Sequence, residues 1–145
     1  MIAVWFARIV GIVVALLAIV GLFIEGELFL GIMNVDITLD IVRVVLAVAL
    51  LVVGFARVPR SAVNTVLALF GASYLLLAIL GMVDEEVFGL LPTGLTGFDI
   101  GFHLVVGIAA IAVIFTPSDT RNRTTSNGRV SSASGASARP TTPGR

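Results

Sequence analysis

The sequence predicts an all-α polytopic membrane protein, in which four transmembrane helices form two hairpins of one parallel repeat and a disordered C-terminal tail follows. Composition is the first reason: the 145 residues are 58% hydrophobic and 12% charged, with a mean hydropathy of +1.11. Soluble domains average roughly 45–50% apolar residues, so the solvent for this chain is lipid. The other two reasons are four long apolar stretches and an internal repeat that spans both halves.

The predicted helices cover residues 3–24, 38–55, 62–83 and 98–115, so the transmembrane domain is residues 1–116. A spanning helix needs about 20 apolar residues, with a range of about 17–25. The stretches do not alternate with the period of two that barrel strands show, and helices are the other way to satisfy a backbone in lipid. The first stretch could instead be a signal peptide. Its apolar run exceeds the usual 7–15 residues or so and no small-residue cleavage site follows, which favours an uncleaved helix.

The basic residues, all of them arginine, predict the orientation. Arg57 and Arg60 lie in the short link between the second and third stretches, and the tail holds five more arginines. Arginines near helix ends stay cytoplasmic, so we expect a bacterial plasma membrane protein with both termini and this link inside. The loops after the first and third stretches are then outside. In or just beyond these two loops lie all the acids but Asp119, namely Glu25, Glu27, Asp36, Asp40, Asp84, Glu85, Glu86 and Asp99.

Residues 117–145 form a tail rich in Ser, Thr, Gly, Pro and Arg. Such a segment buries too little apolar surface to offset the entropy of ordering, so we predict a disordered cytoplasmic tail. Its arginines could contact anionic lipid, but a solvated tail without a specific partner is the favoured interpretation.

The internal repeat has the length of one helical hairpin. Leu-Leu-Ala-Ile-Val-Gly at 16–21 recurs as Leu-Leu-Ala-Ile-Leu-Gly at 76–81, and Thr-Leu-Asp-Ile at 38–41 recurs as Thr-Gly-Phe-Asp-Ile at 96–100. The offset stays at 58–60 residues through both helices and the loop. Repeats of this kind indicate one duplicated unit, and equal membrane direction makes the repeats parallel. The apolar loop pieces at 28–33 and 87–92 are too short to span, so they should either lie at the membrane interface or fold back onto the mouth of the bundle.

Four ionisable residues near the predicted outer end are the candidate site: Asp40, Arg43, Asp99 and His103. Ionisable residues inside spans are functional hypotheses by default, and these could bind an ion, a proton or a small anion. The structural interpretation, which we favour, is that Thr96 with Asp99 forms a capping box and that the acids begin their helices. Asp40 with Arg43 and Asp99 with His103 would then pair at i,i+3 and i,i+4. His103 beside Asp99 could also be sensitive to protons.

Other polar residues in the spans have simpler interpretations. Arg8 should extend to the cytoplasmic headgroups while its stem stays in lipid. Tyr74 and Asn64 are expected to join helices through hydrogen bonds.

The Asp-Ile-Gly-Phe-His-Leu-Val-Val-Gly sequence at 99–107, the two loop pieces and the order of helices resemble a family of small bacterial membrane proteins known only as a domain of unknown function. The resemblance covers roughly residues 8–116. It implies a His-Leu-x-x-Gly pattern in the second and the fourth helix. His103 to Gly107 matches this pattern, whereas the second helix has Arg43 where a histidine is expected. The family implies no activity.

The sequence indicates a protein that is not an enzyme and has no cofactor. There is no cysteine and no lysine, which excludes disulfides, thiolate chemistry and Schiff bases. Three functions stay open: a structural or accessory helix bundle, a small transport or channel component that uses the polar cluster, and a redox subunit with haem or quinone. The partners that the sequence allows are the lipid bilayer, a second copy of the chain or another membrane protein, and not nucleic acid.

Overall fold

The computed structural model describes residues 2–24, 28–29 and 32–117, and within them it shows four helices. These are α1 (Ile2–Gly21), α2 (Ile37–Phe55), α3 (Arg60–Val83) and α4 (Gly97–Ile114). A two-residue strand pair, β1 (Leu28–Phe29) and β2 (Met33–Asn34), lies antiparallel between α1 and α2. The predicted disordered tail lies outside the described residues except for Pro117.

All four helices are long and apolar enough to cross a membrane. The predicted fold class, an all-α multi-pass membrane protein, is confirmed. Large apolar side chains cover the outside of each helix; Ile9, Leu16, Val45, Leu69 and Val105 are all more than half exposed. In water such a surface would be a liability, whereas in a bilayer it contacts lipid tails.

The helix boundaries follow from local sequence. The α2 helix begins after Asp36, whose carboxylate accepts a hydrogen bond from the Thr38 backbone N–H at 2.9 Å. It ends at Phe55, four residues before Pro59. A residue that precedes proline is disfavoured in the helical conformation, so the chain stays extended until α3 begins directly after Pro59.

The closest packing lies within each hairpin, α1 against α2 and α3 against α4. Buried positions recur every three or four residues on each helix, which defines one seam per helix. On α1 the seam consists of small residues and one valine: Ala3, Ala7, Gly11, Val14, Ala18 and Gly21. Small side chains let helix backbones approach closely in lipid. The seam of α1 therefore allows α2 to pack closely against it.

Glycines set the closest approach in both hairpins. A Cβ atom at Gly71 would lie 3.0 Å from the Gly107 carbonyl oxygen, and one at Gly107 would lie 3.1 Å from the Gly71 carbonyl oxygen. In the first hairpin a Cβ atom at Gly21 would lie 2.0 Å from the Asp40 Oδ2 atom. In the α1–α2 pair Gly21 therefore makes room for the Asp40 carboxylate. In the α3–α4 pair the glycines let the two backbones contact each other directly.

The two long loops fold back onto one end of the bundle, which we call the long-loop end. Val87, Leu91 and Leu95 are buried there and pack with Leu39 of α2. Val87 and Phe88 both have positive φ, 48° and 60°, a conformation that L-residues rarely adopt. The Asp84 carboxylate supports this turn by accepting a hydrogen bond from the Phe88 N–H at 2.8 Å. Val87 and Leu91 therefore pack onto the mouth of the bundle, as predicted for the piece at 87–92. Most of the other predicted piece, 28–33, lies outside the residues whose side chains the structure describes.

Arginines join the helices at the opposite end, where the N-terminus and the α2–α3 link lie. The Arg8 Nε atom donates to the Gly54 carbonyl oxygen of α2 at 2.5 Å, and its guanidinium lies 5.0 Å from the Phe55 ring centroid. Arg60 donates to the Thr116 carbonyl oxygen, two residues beyond the end of α4. The last carbonyls of a helix lack intrahelical partners and carry negative partial charge. Arg8 therefore binds the end of its partner helix, and its extension to the headgroups stays a prediction.

Candidate functional site

The four predicted site residues lie together inside the long-loop end of the bundle. We call Asp40, Arg43, Asp99 and His103 the polar cluster. Asp40, Asp99 and His103 are fully buried and Arg43 is 2% exposed. Arg43 and His103 each lie six residues into their helices, which corresponds to a depth of about 9 Å at 1.5 Å per residue. Arg43 and His103 therefore lie well inside their helices, whereas Asp40 and Asp99 lie in the first turns.

The helix seams explain why these residues meet. On α2, the buried positions continue from Asp40 and Arg43 to Ala47 and Leu50, with spacings of three and four residues. On α4 all four buried residues, Asp99, His103, Gly107 and Ala110, follow the same spacing. Residues three and four apart share one helix face. Both pairs therefore occupy the face that their helix turns toward the bundle.

Arg43 connects the two hairpins. Its Nη1 atom donates to the Asp40 Oδ1 atom at 2.7 Å, and its Nη2 atom lies 3.9 Å from the Asp99 Oδ1 atom. Asp40 belongs to the same helix, which confirms the predicted i,i+3 pair. Asp99 belongs to the other hairpin. One guanidinium is thus placed between a carboxylate of each repeat.

Asp99 begins α4 as the sequence predicts. Its Oδ2 atom accepts from the Thr96 backbone N–H at 3.1 Å and from the Thr96 hydroxyl at 2.8 Å. The Thr96 hydroxyl oxygen in turn accepts from the Asp99 backbone N–H at 3.2 Å, which completes a capping box. The equivalent expectation for α2 was wrong. There Asp36 caps the helix, and the Asp40 carboxylate instead pairs with Arg43.

His103 does not pair with the Asp99 carboxylate, which corrects the predicted i,i+4 side-chain pair. Its Nδ1 atom instead contacts the Asp99 backbone carbonyl oxygen at 2.6 Å. A carbonyl oxygen only accepts, so Nδ1 must carry the hydrogen. The carboxylate of Asp99 turns toward Thr96 and Arg43, because the capping box holds it there.

Tyr74 of α3 belongs beside the polar cluster, and the sequence did not place it there. It is 1% exposed, and its ring centroid lies 4.7 Å from that of His103. Among the described residues, its hydroxyl and the His103 Nε2 atom have no hydrogen-bond partner. The available signal was the repeat: at the offset of 60 that relates 16–21 to 76–81, Tyr74 corresponds to Val14, which is fully buried. That correspondence predicts an inward position.

The charges of the polar cluster do not balance formally. Two carboxylates face one guanidinium, so the cluster has a formal charge of −1 when the imidazole is neutral. Buried charges are costly unless they are paired and hydrogen-bonded. A hydrogen bond joins Asp40 to Arg43, and the Arg43 Nη2 atom lies within ion-pair distance of the Asp99 Oδ1 atom. The imidazole adds a group that can take up a proton.

A cavity of about 470 Å³ opens between the two long loops, outside the polar cluster. Its polar side chains are Asp36, Thr38 and Thr93, and none of the four cluster residues lines it. The described residues contain no group of three or more His, Cys, Asp or Glu side chains that could hold a metal ion.

One protein family matches this chain: the sequence model of a domain of unknown function (DUF4383) matches residues 25–116. The chain belongs to this family. The resemblance that the sequence suggested is thereby confirmed. No curated protein and no solved structure matches the chain.

The DUF4383 match covers both long loops and the helices α2, α3 and α4, so it contains the whole polar cluster and Tyr74. It begins after α1. The α1 helix contributes an apolar and small-residue seam to the bundle and no residue to the polar cluster.

Proposed function

We propose that this protein is a non-enzymatic membrane helix bundle with a structural or accessory role, and that the polar cluster joins its two hairpins. The observation that carries the proposal is the position of Arg43. Its guanidinium lies 2.7 Å from a carboxylate of the first hairpin and 3.9 Å from one of the second. Helices in lipid gain little from apolar contact with each other, so polar contacts and close packing decide their association.

Burial of the polar cluster supports a structural role over chemistry on a bound molecule. Asp40, Asp99 and His103 have no exposed surface. A substrate could not contact their side chains unless the residues that cover them moved. The large cavity at the long-loop end is lined by loop and helix-start residues instead.

A double-mutant cycle on the full chain tests the joining role. Arg43→Gln, Asp99→Asn and the double variant are compared with the wild type by reversible unfolding in mixed micelles. Breaking a buried pair costs about 3–5 kcal/mol, so we expect Arg43→Gln to be strongly destabilising. The coupling free energy between the two sites should be about 0.5–3 kcal/mol.

Arg57→Gln is the matched control, because Arg57 is exposed in the α2–α3 link. Surface substitutions of this kind usually change stability by about 0.5 kcal/mol or less. Additive effects of Arg43→Gln and Asp99→Asn would rule out the joining role, since independent sites show no coupling.

A second candidate is a small transport or channel component that uses the polar cluster. The observation that favours it is the depth of Arg43 and His103, each about 9 Å from its helix start by the rise per residue. Ionisable groups at such positions are typical of ion and proton pathways. The test is proton or cation flux into proteoliposomes that contain wild type, Asp99→Asn or His103→Gln. Wild-type flux equal to that of empty liposomes eliminates this candidate.

We further propose that the protein lies in a bacterial plasma membrane with both termini in the cytoplasm. Arg8, Arg57 and Arg60 lie at one end of the bundle, whereas Asp84 and Glu85 lie at the other, and arginine-rich ends stay inside. The chain has no native cysteine, so single cysteines report accessibility directly.

Cysteines at Gly26 and Thr93 should react with an impermeant thiol reagent added to intact cells, and a cysteine at Ser61 should react only after lysis. Thr93 and Ser61 are both exposed, so a difference between them reports the side of the membrane. Labelling of the Ser61 position in intact cells reverses the orientation.

An accessory bundle requires a partner, which is either a second copy of this chain or another membrane protein. Co-purification from membranes identifies that partner.

A further inference from the structure

We propose that the polar cluster binds one exchangeable proton at the Nε2 atom of His103. This inference goes beyond the joining role and does not depend on it, because it concerns the protonation of one ring rather than the cohesion of two hairpins. The ligand is the proton itself.

The contact that His103 makes determines its tautomer. The Nδ1 atom donates to the Asp99 backbone carbonyl oxygen at 2.6 Å. In the neutral ring one nitrogen carries hydrogen and the other is an acceptor. Because Nδ1 carries the hydrogen, the Nε2 atom has a free lone pair. The basic atom of His103 is therefore the one that points away from its own helix backbone.

The Nε2 atom of His103 lies in a buried environment next to aromatic rings. His103 is fully buried, and within the described part of the chain no group forms a hydrogen bond with Nε2. The Tyr74 ring lies 4.7 Å from the imidazole between centroids, and the Phe102 ring lies 6.1 Å away. The Nε2 lone pair therefore has aromatic neighbours, and no described polar group competes for it.

Several ionisable groups are buried together with the ring. The α2 helix contributes Asp40 and Arg43, α3 contributes the hydroxyl of Tyr74, and α4 contributes Asp99. The α1 helix contributes none, because its single ionisable side chain, Arg8, lies at the other end of the bundle. With a neutral imidazole the cluster has a formal charge of −1, and one proton on Nε2 brings it to zero.

The closed polar cluster limits the size of a ligand that can bind there. The polar cluster is closed, with between 0% and 2% of each residue exposed. A hydrated ion or an organic molecule would need the helices to separate. A proton adds no volume and can arrive along transient hydrogen bonds from the long-loop end, about 9 Å away by the helix rise.

The test uses the fact that His103 is the only histidine in the protein. Full-length protein labelled with ¹⁵N-histidine, reconstituted in lipid nanodiscs, gives nitrogen resonances from one ring alone. At high pH we expect the resonance pattern of a neutral ring with hydrogen on Nδ1. As the pH falls, the Nε2 resonance should move to that of a protonated nitrogen. A neutral ring with hydrogen on Nε2 overturns the proposal, and so does a ring that stays unprotonated until the protein unfolds.

Charge variants test the surroundings. Asp99→Asn keeps the backbone carbonyl that holds Nδ1 but removes a buried negative charge. Loss of a nearby opposite charge shifts a titration by about one to three pH units, so the Nε2 midpoint should fall by at least about one unit, a tenfold loss in proton affinity.

Asp84→Asn is the control, since Asp84 supports the α3–α4 loop and is not part of the polar cluster. It should leave the midpoint unchanged. Equal midpoints in Asp99→Asn and wild type contradict the proposal. The wild-type tautomer is measured without any variant, so the proposal stays testable if Asp99→Asn does not fold. The NMR result is also separate from the Arg43–Asp99 double-mutant cycle, so either proposal can fail alone.

Discussion

Replacing Gly107 with alanine puts a methyl group at the point where α3 and α4 approach most closely. The new Cβ atom would lie 2.9 Å from the Leu75 Cγ atom and 3.1 Å from the Gly71 carbonyl oxygen. Ordinary contacts between carbon atoms are about 3.5–4.0 Å. The Leu75 side chain can rotate away, but the carbonyl of Gly71 moves only if α3 itself moves. The substitution therefore pushes two backbones apart.

The magnitude follows from two opposing effects. Overpacking a well-packed contact costs about 1–3 kcal/mol. Alanine is also a better helix former than glycine by roughly 0.5–1 kcal/mol, which offsets part of this cost. We therefore expect Gly107→Ala to lower the free energy of unfolding by about 0.5–2 kcal/mol.

Gly101→Ala on the same helix is the matched control. A Cβ atom there meets nothing within 4 Å, so only the gain in helix propensity acts. We expect Gly101→Ala to be about 0.5–1 kcal/mol more stable than wild type, and the two variants to differ by about 1–3 kcal/mol. The assay is reversible unfolding in mixed micelles followed by circular dichroism. Equal stability of the two variants would refute the close approach of α3 and α4.

Three further predictions concern the ends of the helices and one loop. Arg8→Lys keeps the charge but loses the directed bond to the Gly54 carbonyl. Hydrogen bonds to charged groups contribute about 1.5–3 kcal/mol and Arg8 is only half-buried, so the free energy of unfolding should fall by about 1–2 kcal/mol. Unchanged thermal stability would show that the bond contributes nothing. Thr96→Val removes the cap of α4 and should cost about 0.5–2 kcal/mol, whereas Thr96→Ser should retain most of the stability in the same unfolding assay. Phe88→Gly should be about 1 kcal/mol more stable than Phe88→Ala, because alanine at a φ of 60° retains the left-handed strain; the reverse order in chemical unfolding would contradict that backbone conformation.

The starts of α2 and α4 show how well local sequence predicts a helix cap. Thr-x-x-Asp at 96–99 predicts a capping box, and the structure contains it. A cap depends on four consecutive residues, so local sequence is sufficient there. At α2 the same reasoning failed, because both Asp36 and Asp40 are acids near the start. Only the packed bundle shows that Asp40 turns inward to Arg43 while Asp36 remains at the cap.

The polar cluster was predictable as a set of four residues but not as a set of contacts. Spacing along α2 and α4 places Asp40 beside Arg43 and Asp99 beside His103. It does not say that Arg43 reaches across to Asp99 or that the imidazole binds a backbone carbonyl. These contacts depend on the rotation and vertical offset of two helices that are distant in sequence. Tyr74 was overlooked for the same reason.

Length and apolar composition were sufficient to predict four spanning helices, since a bilayer demands a fixed number of apolar residues per crossing. Because those helices are apolar on every side, hydropathy carries no information about which side faces inward. That choice depends on where small residues permit close approach and where buried charges find partners, as at Gly71 with Gly107 and Arg43 with Asp99. Both conditions involve pairs of residues on different helices, and only the packed structure brings those pairs together.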